Sequence, residues 1–290
     1  MVENLSGHQI ATPLGLLDAA SSEAGAYFLS CDEPMFYEVI RLIDGQPLFW
    51  DDHCMRLQAS VDNRFPIDTD QLLRQSQLLI AALGETGSKA HLRLVVREED
   101  FVIHLSPAYY PTAEQFAAGV PVTLLRQERK TPNIKTIDPD YKSAVAAGFA
   151  AGGPLGPPFE LLLVNRQEQI TEGSRSNVFF IRGNTVLTAP DDLILLGITR
   201  RYVSSAIEAS GATLVTGMVT PGEIEAGTVE AAFLTGSPID ILPVSSIGKT
   251  RLQSAGHPLI LAIHEAYQAI LRADLARRKI QSPIKEEYQP

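Results

Sequence analysis

The chain has 290 residues, 45% of them hydrophobic and 20% charged, which is typical of a soluble globular protein. Its formal net charge of −10 argues against a surface built to bind nucleic acid or an anionic membrane. No apolar run approaches the roughly 20 residues of a membrane helix, and Met1 to Gly7 carries no secretion signal. A cytoplasmic protein is therefore expected. The two cysteines, Cys31 and Cys54, indicate neither a disulfide framework nor a zinc site.

Strands and helices alternate through the first part of the chain, after about 25 residues that are expected to be loop-like. The predicted elements are a strand over Phe36 to Ile43, a hairpin partner over Leu48 to Trp50, a helix opening at Asp51, a helix from Asp68 to Leu83 stopped by Gly84, and strands over Ala90 to Arg97 and Phe101 to Leu105. Because side chains alternate along a strand, Tyr37, Val39 and Arg41 share one face.

The second part of the chain also mixes strands with helices. Its predicted elements are strands over Val120 to Leu125, Phe159 to Val164, Asn177 to Ile181, Thr185 to Thr188, Thr213 to Thr216 and Val229 to Leu234, with helices over Tyr141 to Ala151, Arg200 to Ser210 and Pro258 to Arg278. The pattern predicts an α/β (α+β) protein of two domains, with residues 1–112 forming a smaller N-terminal domain, 113–118 a linker and 119–290 a larger C-terminal domain.

The segment from Ile170 to Phe179 places Glu172 on a glycine turn between two apolar runs. A carboxylate held between core strands needs a partner, because an unpaired buried charge is costly. The alternative is a hairpin with one exposed glutamate.

Two short loops have the composition of an anion site. Gly197-Ile198-Thr199 stands at a helix start, where backbone N–H groups and the helix dipole favour a phosphate, and Thr199 could instead serve only as a cap. Thr235-Gly236-Ser237 follows an apolar strand, and a helix-borne Arg56 would complete the site.

Lys135 is the candidate among the lysines for covalent chemistry. It has apolar neighbours on both sides, which suits a side chain projecting from a strand end into a cleft, whereas Lys142 lies on a helix face. Lys130 is the third lysine of this region, and for any single lysine a surface position is the more frequent one.

Five motifs in chain order resemble the fold-type IV pyridoxal-phosphate enzymes, or class IV aminotransferases, which include branched-chain and D-amino-acid aminotransferases and aminodeoxychorismate lyase. The matching stretches are His53-Cys54-Met55-Arg56-Leu57, Asn133-Ile134-Lys135-Thr136, Thr171-Glu172-Gly173-Ser174-Arg175-Ser176-Asn177-Val178-Phe179, Leu196-Gly197-Ile198-Thr199-Arg200, and Leu234-Thr235-Gly236-Ser237 with Ile241-Leu242-Pro243-Val244. The resemblance extends from about Tyr37 to Ile270.

The resemblance implies a role for each matched residue. Lys135 would bind pyridoxal 5′-phosphate as an imine and shuttle a proton, and Glu172 would face the pyridine nitrogen. The phosphate would be held by Arg56, by Ile198 and Thr199, and by Ser237. Ser176 and Asn177 would support the surroundings of the ring. The residues expected near the substrate are Tyr37, Arg41, Arg93, Gly236 and Ser237, with His91 or Arg97 as further candidates for its carboxylate.

The resemblance also implies a homodimer with the cofactor between the two domains, and amino transfer between an amino acid and a 2-oxo acid. The alternatives are a lyase of the aminodeoxychorismate type and a non-catalytic cofactor-binding homologue. Three positions depart from the family pattern, all on the substrate side: the Asp32 to Phe36 segment is not glycine-rich, Asp138 replaces an asparagine, and Glu98 replaces a glycine.

Overall fold

A computed structural model describes residues 5–29, 33–62, 64–82, 90–107 and 110–281, with side chains to residue 277. Four features of the sequence lie outside these ranges: Cys31, Asp32, the helix stop at Gly84 and the tail beyond 281. The described chain forms two β-sheets, and each sheet is built from one continuous part of the sequence. Within the described ranges, no helix is both long and apolar enough to cross a membrane.

The first sheet has six antiparallel strands in the order β2-β1-β6-β5-β3-β4. The strands are β1 (Gln9–Thr12), β2 (Gly15–Asp18), β3 (Phe36–Ile43), β4 (Gln46–Pro47), β5 (Ala90–Val96) and β6 (Phe101–Pro107). The helices of this part are α1 (Ser22–Ala26), α2 (Trp50–Val61) and α3 (Thr69–Ala82). One face of the sheet packs on α2 and α3 through a buried core, and Leu92, Leu94 and Val96 belong to it as predicted.

On the opposite face of this sheet, Val95 and Val102 pack against Ala24 of α1 in a smaller core. In β3, buried and half-buried residues alternate strictly, so Tyr37, Val39 and Arg41 do share one face. In the pairing with β5, Val39 lies opposite Arg93 and Arg41 opposite His91. The polar residues predicted to lie near the substrate on β3 and β5 therefore share one face of the sheet.

The second sheet has nine strands, eight of which follow the order β12-β11-β10-β13-β14-β7-β8-β9, while β15 pairs with β14. The strands are β7 (Val120–Arg126), β8 (Glu160–Val164), β9 (Ile170–Gly173), β10 (Asn177–Arg182), β11 (Thr185–Thr188), β12 (Thr213–Thr216), β13 (Ala231–Gly236), β14 (Asp240–Ile247) and β15 (Thr250–Arg251). Three neighbouring pairs are parallel: β11 with β12, β14 with β7, and β7 with β8.

Five further helices accompany the second sheet. They are α4 (Ala113–Ala118), α5 (Pro139–Ala151), α6 (Ile198–Ala209), α7 (Pro221–Glu225) and α8 (Pro258–Gln281). Helices α6 and α8 share a buried core with one face of the sheet, and α7 lies against the other face. Helix α4 occupies 113–118, the predicted linker, and Thr112 and Gln115 close its N-terminus with a capping box.

Several local predictions were wrong. Residues 9–25, which were expected to be loop-like, form β1, β2 and most of α1. The hairpin partner of β3 is Gln46–Pro47, and Trp50 instead begins α2. Helix α6 begins at Ile198 with Gly197 as its N-cap, and no side chain caps it, so Thr199 is not the cap. Strand β14 was not anticipated as a strand.

Candidate active site

Lys135 lies in an extended segment beside β3, between the two sheets. The Tyr37 N–H donates to the Lys135 carbonyl at 3.2 Å, and the Lys135 N–H donates to Ser60 Oγ at 3.2 Å. Thr136 forms an isolated bridge with Phe36, so the lysine is fixed by backbone pairing although it stands outside any strand. Burial lowers the pKa of Lys135, while Tyr37 acts to raise it and Arg56 to lower it further. This environment favours the neutral amine, the form that reacts as a nucleophile.

Tyr37 lies between two cations on the face shared by β3 and β5. Lys135 Nζ is 4.7 Å from the centre of the Tyr37 ring, and Arg93 Cζ is 4.8 Å from it. The charge of Lys135 lowers the pKa of the Tyr37 hydroxyl, burial opposes that shift, and Arg93 adds to it. Tyr37, a predicted substrate residue, therefore lies next to the predicted nucleophile, and Arg93, another, contacts the same Tyr37 ring.

Glu172 is buried in β9, with 2% of its surface exposed, and its carboxylate receives three hydrogen bonds. Arg129 Nε donates to Oε1 at 2.8 Å. The Leu195 N–H and Asn177 Nδ2 donate to Oε2 at 3.1 and 3.3 Å. Burial raises the pKa of Glu172 to about 7, against the opposing effects of Arg129 and the Leu195 N–H. The hairpin alternative, with an exposed glutamate, is wrong.

The turn after Glu172 is organised around a second buried carboxylate, Glu160. Ser174 Oγ and Ser176 Oγ donate to Glu160 at 2.6 and 2.9 Å, and the Arg175 N–H donates at 3.2 Å. A Cβ on Gly173 would overlap Ser176 Oγ and would displace it from its hydrogen bond with Glu160. Ser176 therefore shapes the turn through Glu160, while Asn177 contacts Glu172 itself.

Arg56, on α2, is held by a buried carboxylate that the sequence analysis did not identify. Arg56 Nε and Nη2 donate to the two oxygens of Glu38, and His53 Nδ1 lies 2.7 Å from Glu38 Oε2. Burial acts to raise the pKa of Glu38, but Arg56 and His53 overcome it and bring that pKa to about 2. Glu38 is therefore ionised at neutral pH and fixes the orientation of the Arg56 guanidinium.

The N-terminus of α6 lies beside Arg56. Arg56 Nη1 donates to the Leu196 carbonyl at 3.0 Å, just before the N-cap Gly197. Because no side chain caps α6, its first amides, those of Ile198 and Thr199, lack a side-chain acceptor. The hydroxyl of Thr235, one of the hydroxyl residues in the loop that includes Ser237, is buried and has no hydrogen-bond partner in the described part of the chain. A guanidinium next to an uncapped helix N-terminus suits an anion such as a phosphate.

Arg41, Arg97 and His91 are engaged differently from Arg93. Arg41 forms an ion pair with Asp240, at the start of β14. Arg97 pairs with Asp100 at 2.8 Å and donates to the Tyr27 carbonyl at 3.3 Å. Burial, with a contribution from Arg41, lowers the pKa of His91 to about 4, so its ring is neutral at pH 7. Of the three arginines, Arg41 and Arg97 each pair with a carboxylate, whereas Arg93 has no carboxylate partner in the described part of the chain.

Three residues of the site were missed by the sequence analysis: Glu38, Arg129 and Glu160. Glu38 carried a signal, because it is a charged residue at a core position of the β3 alternation, and His53 and Arg56 are spaced to reach it from one face of a helix. Arg129 and Glu160 carried no comparable signal, since their partners lie in other parts of the chain.

The residues present fit pyridoxal phosphate. The N-terminus of α6 with Arg56 suits its phosphate, and the buried Glu172 carboxylate suits its ring nitrogen. Lys135, with its lowered pKa, suits its aldehyde. Charge interactions tie these groups together, because Arg56 affects the pKa of Lys135 and Lys135 affects that of Glu172. The described residues contain no cluster suited to a metal ion.

Comparisons with known proteins agree with this assignment. The family model described as Amino-transferase class IV matches residues 35–247. The D-alanine aminotransferase of Listeria monocytogenes serotype 4b is 24% identical in an alignment 252 residues long, and the match covers 80% of this chain and 84% of the relative.

Solved structures show the same fold. A hypothetical aminotransferase from Mycobacterium tuberculosis in its PLP-bound form superposes with a TM-score of 0.74 at 18% identity, over 92% of this chain and 99% of that one. The branched-chain aminotransferase of Thermoproteus uzoniensis with norvaline also gives 0.74, at 21% identity, over 94% and 97% of the two chains. The predicted α/β, fold-type IV class is confirmed by these neighbours.

Proposed function

The chain belongs to the class IV aminotransferases, which are pyridoxal-phosphate enzymes, and we propose that Lys135 and Glu172 carry its chemistry. The observation that carries this assignment is the juxtaposition of Lys135 with Tyr37 and Arg93, charge-coupled to the buried Glu172. When bound, pyridoxal phosphate supplies an electron sink for the electrons released at the substrate Cα.

The residues around the cofactor would act as follows. Lys135 Nζ attaches the cofactor and moves a proton from the substrate Cα, tasks that a lowered pKa supports. Glu172 accepts a hydrogen bond from the ring nitrogen and keeps that nitrogen protonated. Arg56, the amides of Ile198 and Thr199, and the Ser237 hydroxyl bind the phosphate.

The substrate carboxylate would bind at the face of the first sheet. Arg93 is the residue best suited to it, because it points at the Tyr37 ring beside Lys135 and has no carboxylate partner in the described chain. Arg41, already paired with Asp240, would line the pocket, as would Gly236, the last residue of β13, and Ser237, which follows it. His91, neutral at pH 7, would contribute no charge.

The proposed donor is a small D-amino acid, with a 2-oxo acid as acceptor. Support comes from relatives named D-alanine aminotransferases, which align over 80% and 83% of the chain, and a relative named as a probable branched-chain aminotransferase aligns over a similar 81%. The experiment is to incubate the purified enzyme with pyruvate or 2-oxoglutarate and single D- or L-amino acids, and to identify the amino products by chiral chromatography. We expect transfer from D-alanine. Transfer from L-leucine alone would move the assignment to branched-chain donors, and no transfer from any donor by the cofactor-loaded protein would contradict it.

A cytoplasmic homodimer is the proposed state. Helix α5 supports the dimer, because it is rich in alanine and yet none of its residues is buried. Ala146, Ala147, Ala150 and Ala151 are all exposed on its outer face. A surface of small apolar side chains lets a second copy approach closely. Unpaired apolar surface of this kind is typical of an interaction site.

A further inference from the structure

The guanidinium of Arg129 holds Glu172 and is itself held on two further sides. Its Nη2 donates to the Ser174 carbonyl at 3.1 Å, and its Cζ lies 4.4 Å from the centre of the Tyr141 ring. The Tyr141 hydroxyl donates to the same Ser174 carbonyl at 2.9 Å. Only 17% of the Arg129 side chain is exposed. Arg129 is therefore held in a fixed position within the site, whereas Arg126 pairs with Glu168 on the surface.

The three hydrogen bonds to Glu172 divide between its two oxygens. Asn177 Nδ2 and the Leu195 N–H share Oε2, and Asn177 is held in turn by the Leu195 carbonyl at 2.9 Å. The Asn177 side-chain amide also packs against Gly197, where a Cβ would collide with it. Arg129 is the partner of Oε1, and among the residues that the structure describes it is the one cation that contacts the carboxylate directly. Removing it would leave one buried oxygen without a donor, although the neutral contacts would persist.

Two charged groups of the described chain affect the pKa of Glu172: Arg129, from the segment after β7, and Lys135. A neighbouring titratable group is Tyr141, on α5. Burial raises the pKa of Tyr141 above its usual range, so that hydroxyl is neutral and cannot replace a cation. When it holds the cofactor, Lys135 would no longer carry a free ammonium group. Among the described side chains, Arg129 is then the protein cation that remains in contact with the Glu172 carboxylate.

From this geometry we propose that Arg129 is a positioning residue for the cofactor ring, which acts by keeping the Glu172 carboxylate ionised and oriented toward the ring nitrogen. The proposal rests on the proposed function, because it gives Glu172 its role there. It assigns Arg129 no contact with the substrate.

The experiment measures the equilibrium dissociation constant of pyridoxal phosphate from the apoprotein, by ultrafiltration and quantification of the free cofactor. The variants are Arg129→Gln, Arg129→Lys, Glu172→Gln and the double variant Arg129→Gln/Glu172→Gln. Arg126→Gln is the matched control, because it removes an exposed arginine nearby in the chain. The thermal midpoint of each apoprotein checks that it is folded.

We expect Arg129→Gln to weaken binding at pH 7 by roughly tenfold, the usual scale for a hydrogen bond to a charged group. Arg129→Lys keeps the charge and should recover most of the affinity, and Arg126→Gln should match the wild type. In the Glu172→Gln background, Arg129→Gln should change affinity by less than about twofold, since the carboxylate it acts on is gone.

The pH profile supplies a readout that a purely structural role would not move. Glu172 is ionised above its pKa, and removing Arg129 raises that pKa. The pH below which cofactor affinity weakens should therefore be higher in Arg129→Gln than in the wild type. The proposal would be overturned if Arg129→Gln left the pH dependence of cofactor affinity unchanged. It would also be overturned if Arg129→Gln weakened cofactor binding equally with Glu172 and with Gln at position 172. Failure of the wild type to bind the cofactor would instead refute the proposed function.

Discussion

At the scale of single residues, the site depends on buried carboxylates that orient cations. Glu38 is fully buried and fixes Arg56, and Glu172 is held by Arg129. Breaking such a pair is more harmful than its net contribution suggests, because the remaining charge is stranded in the interior. Each carboxylate therefore makes the position of its partner sensitive to mutation.

Glu38→Gln tests this dependence. The pKa of Glu38 is about 2 in the folded protein against an ordinary value of 4.5, a difference that corresponds to about 3 kcal/mol. Because this folded pKa is depressed, the stabilisation is complete above pH 4.5 and is lost as the pH falls toward 2. Urea unfolding at pH 7 should show the variant less stable by about that amount, with the gap narrowing below pH 4.5. Glu168→Gln, at an exposed pair, is the control. A variant as stable as the wild type at pH 7 would refute this view of Glu38.

At the scale of elements, contacts around Phe49 connect the start of α2 to α6 and α8. Phe49 precedes α2 with a left-handed backbone, φ 52°, and its N–H donates to Asp274 Oδ2 at 2.9 Å. Its ring stacks on Tyr202, with centroids 3.9 Å apart, and the Tyr202 hydroxyl donates to Asp52. Contacts from two helices compensate the strained φ. They also set the distance between Arg56, on α2, and the N-terminus of α6.

Tyr202→Ala should therefore affect both stability and cofactor binding. Loss of the stacked ring and its hydroxyl is expected to cost about 1 to 3 kcal/mol, and it should weaken pyridoxal phosphate binding because the two halves of the phosphate site are no longer held together. Thermal unfolding and cofactor titration measure the two effects. Tyr202→Phe keeps the ring and should fall between Tyr202→Ala and the wild type. Full affinity in Tyr202→Ala would show that α2 and α6 are positioned by other contacts.

Elements with a strong pattern were predictable from the sequence, and those defined by distant contacts were not. The alternation in β3 and β5 identified their core faces, and the helical pattern located α3 and α8 within a few residues. Strands β1 and β2 have four residues each, too short for a pattern, and gain their order by pairing with each other and with β6. Pro243 made β14 look unlike a strand.

The same distinction holds for the site. Lys135, Glu172 and Arg56 were recognisable because local motifs surround them. Arg129 was not recognisable, because its partner is 43 residues away in the chain. The role of Thr199 as a cap was also misjudged, since only the backbone at Gly197 shows where α6 begins.

At the scale of the whole molecule, the two sheets form one site only because they are connected across their interface. Arg41 on β3 pairs with Asp240 on β14, and Phe49 bonds to α8. The division at 113–118 stays a prediction, and helix α4 in that segment argues for a structured connection rather than a flexible one.

The exposed alanines on the outer face of α5 indicate where two copies of the chain would meet in the proposed dimer. Ala146→Glu/Ala150→Glu places two charges on exposed alanines of this face, so the substitutions should leave the monomer folded but prevent close approach of a second copy. Light scattering after size exclusion should give a dimer for the wild type and a monomer for the variant. Lys142 is also exposed on α5, so Lys142→Glu shows whether a charge change anywhere on the helix is sufficient to separate the dimer. A variant that stays dimeric would place the interface elsewhere.

The most direct test of the whole account is the identity of the lysine that binds the cofactor. The protein is loaded with pyridoxal phosphate, reduced with borohydride to make the linkage permanent, digested, and mapped by mass spectrometry. We expect the modification on Lys135, and its loss in Lys135→Ala but not in Lys130→Ala, because Lys130 is 74% exposed and pairs with Asp140 on the surface. Modification of Lys130 or Lys142, or of no lysine, would contradict it.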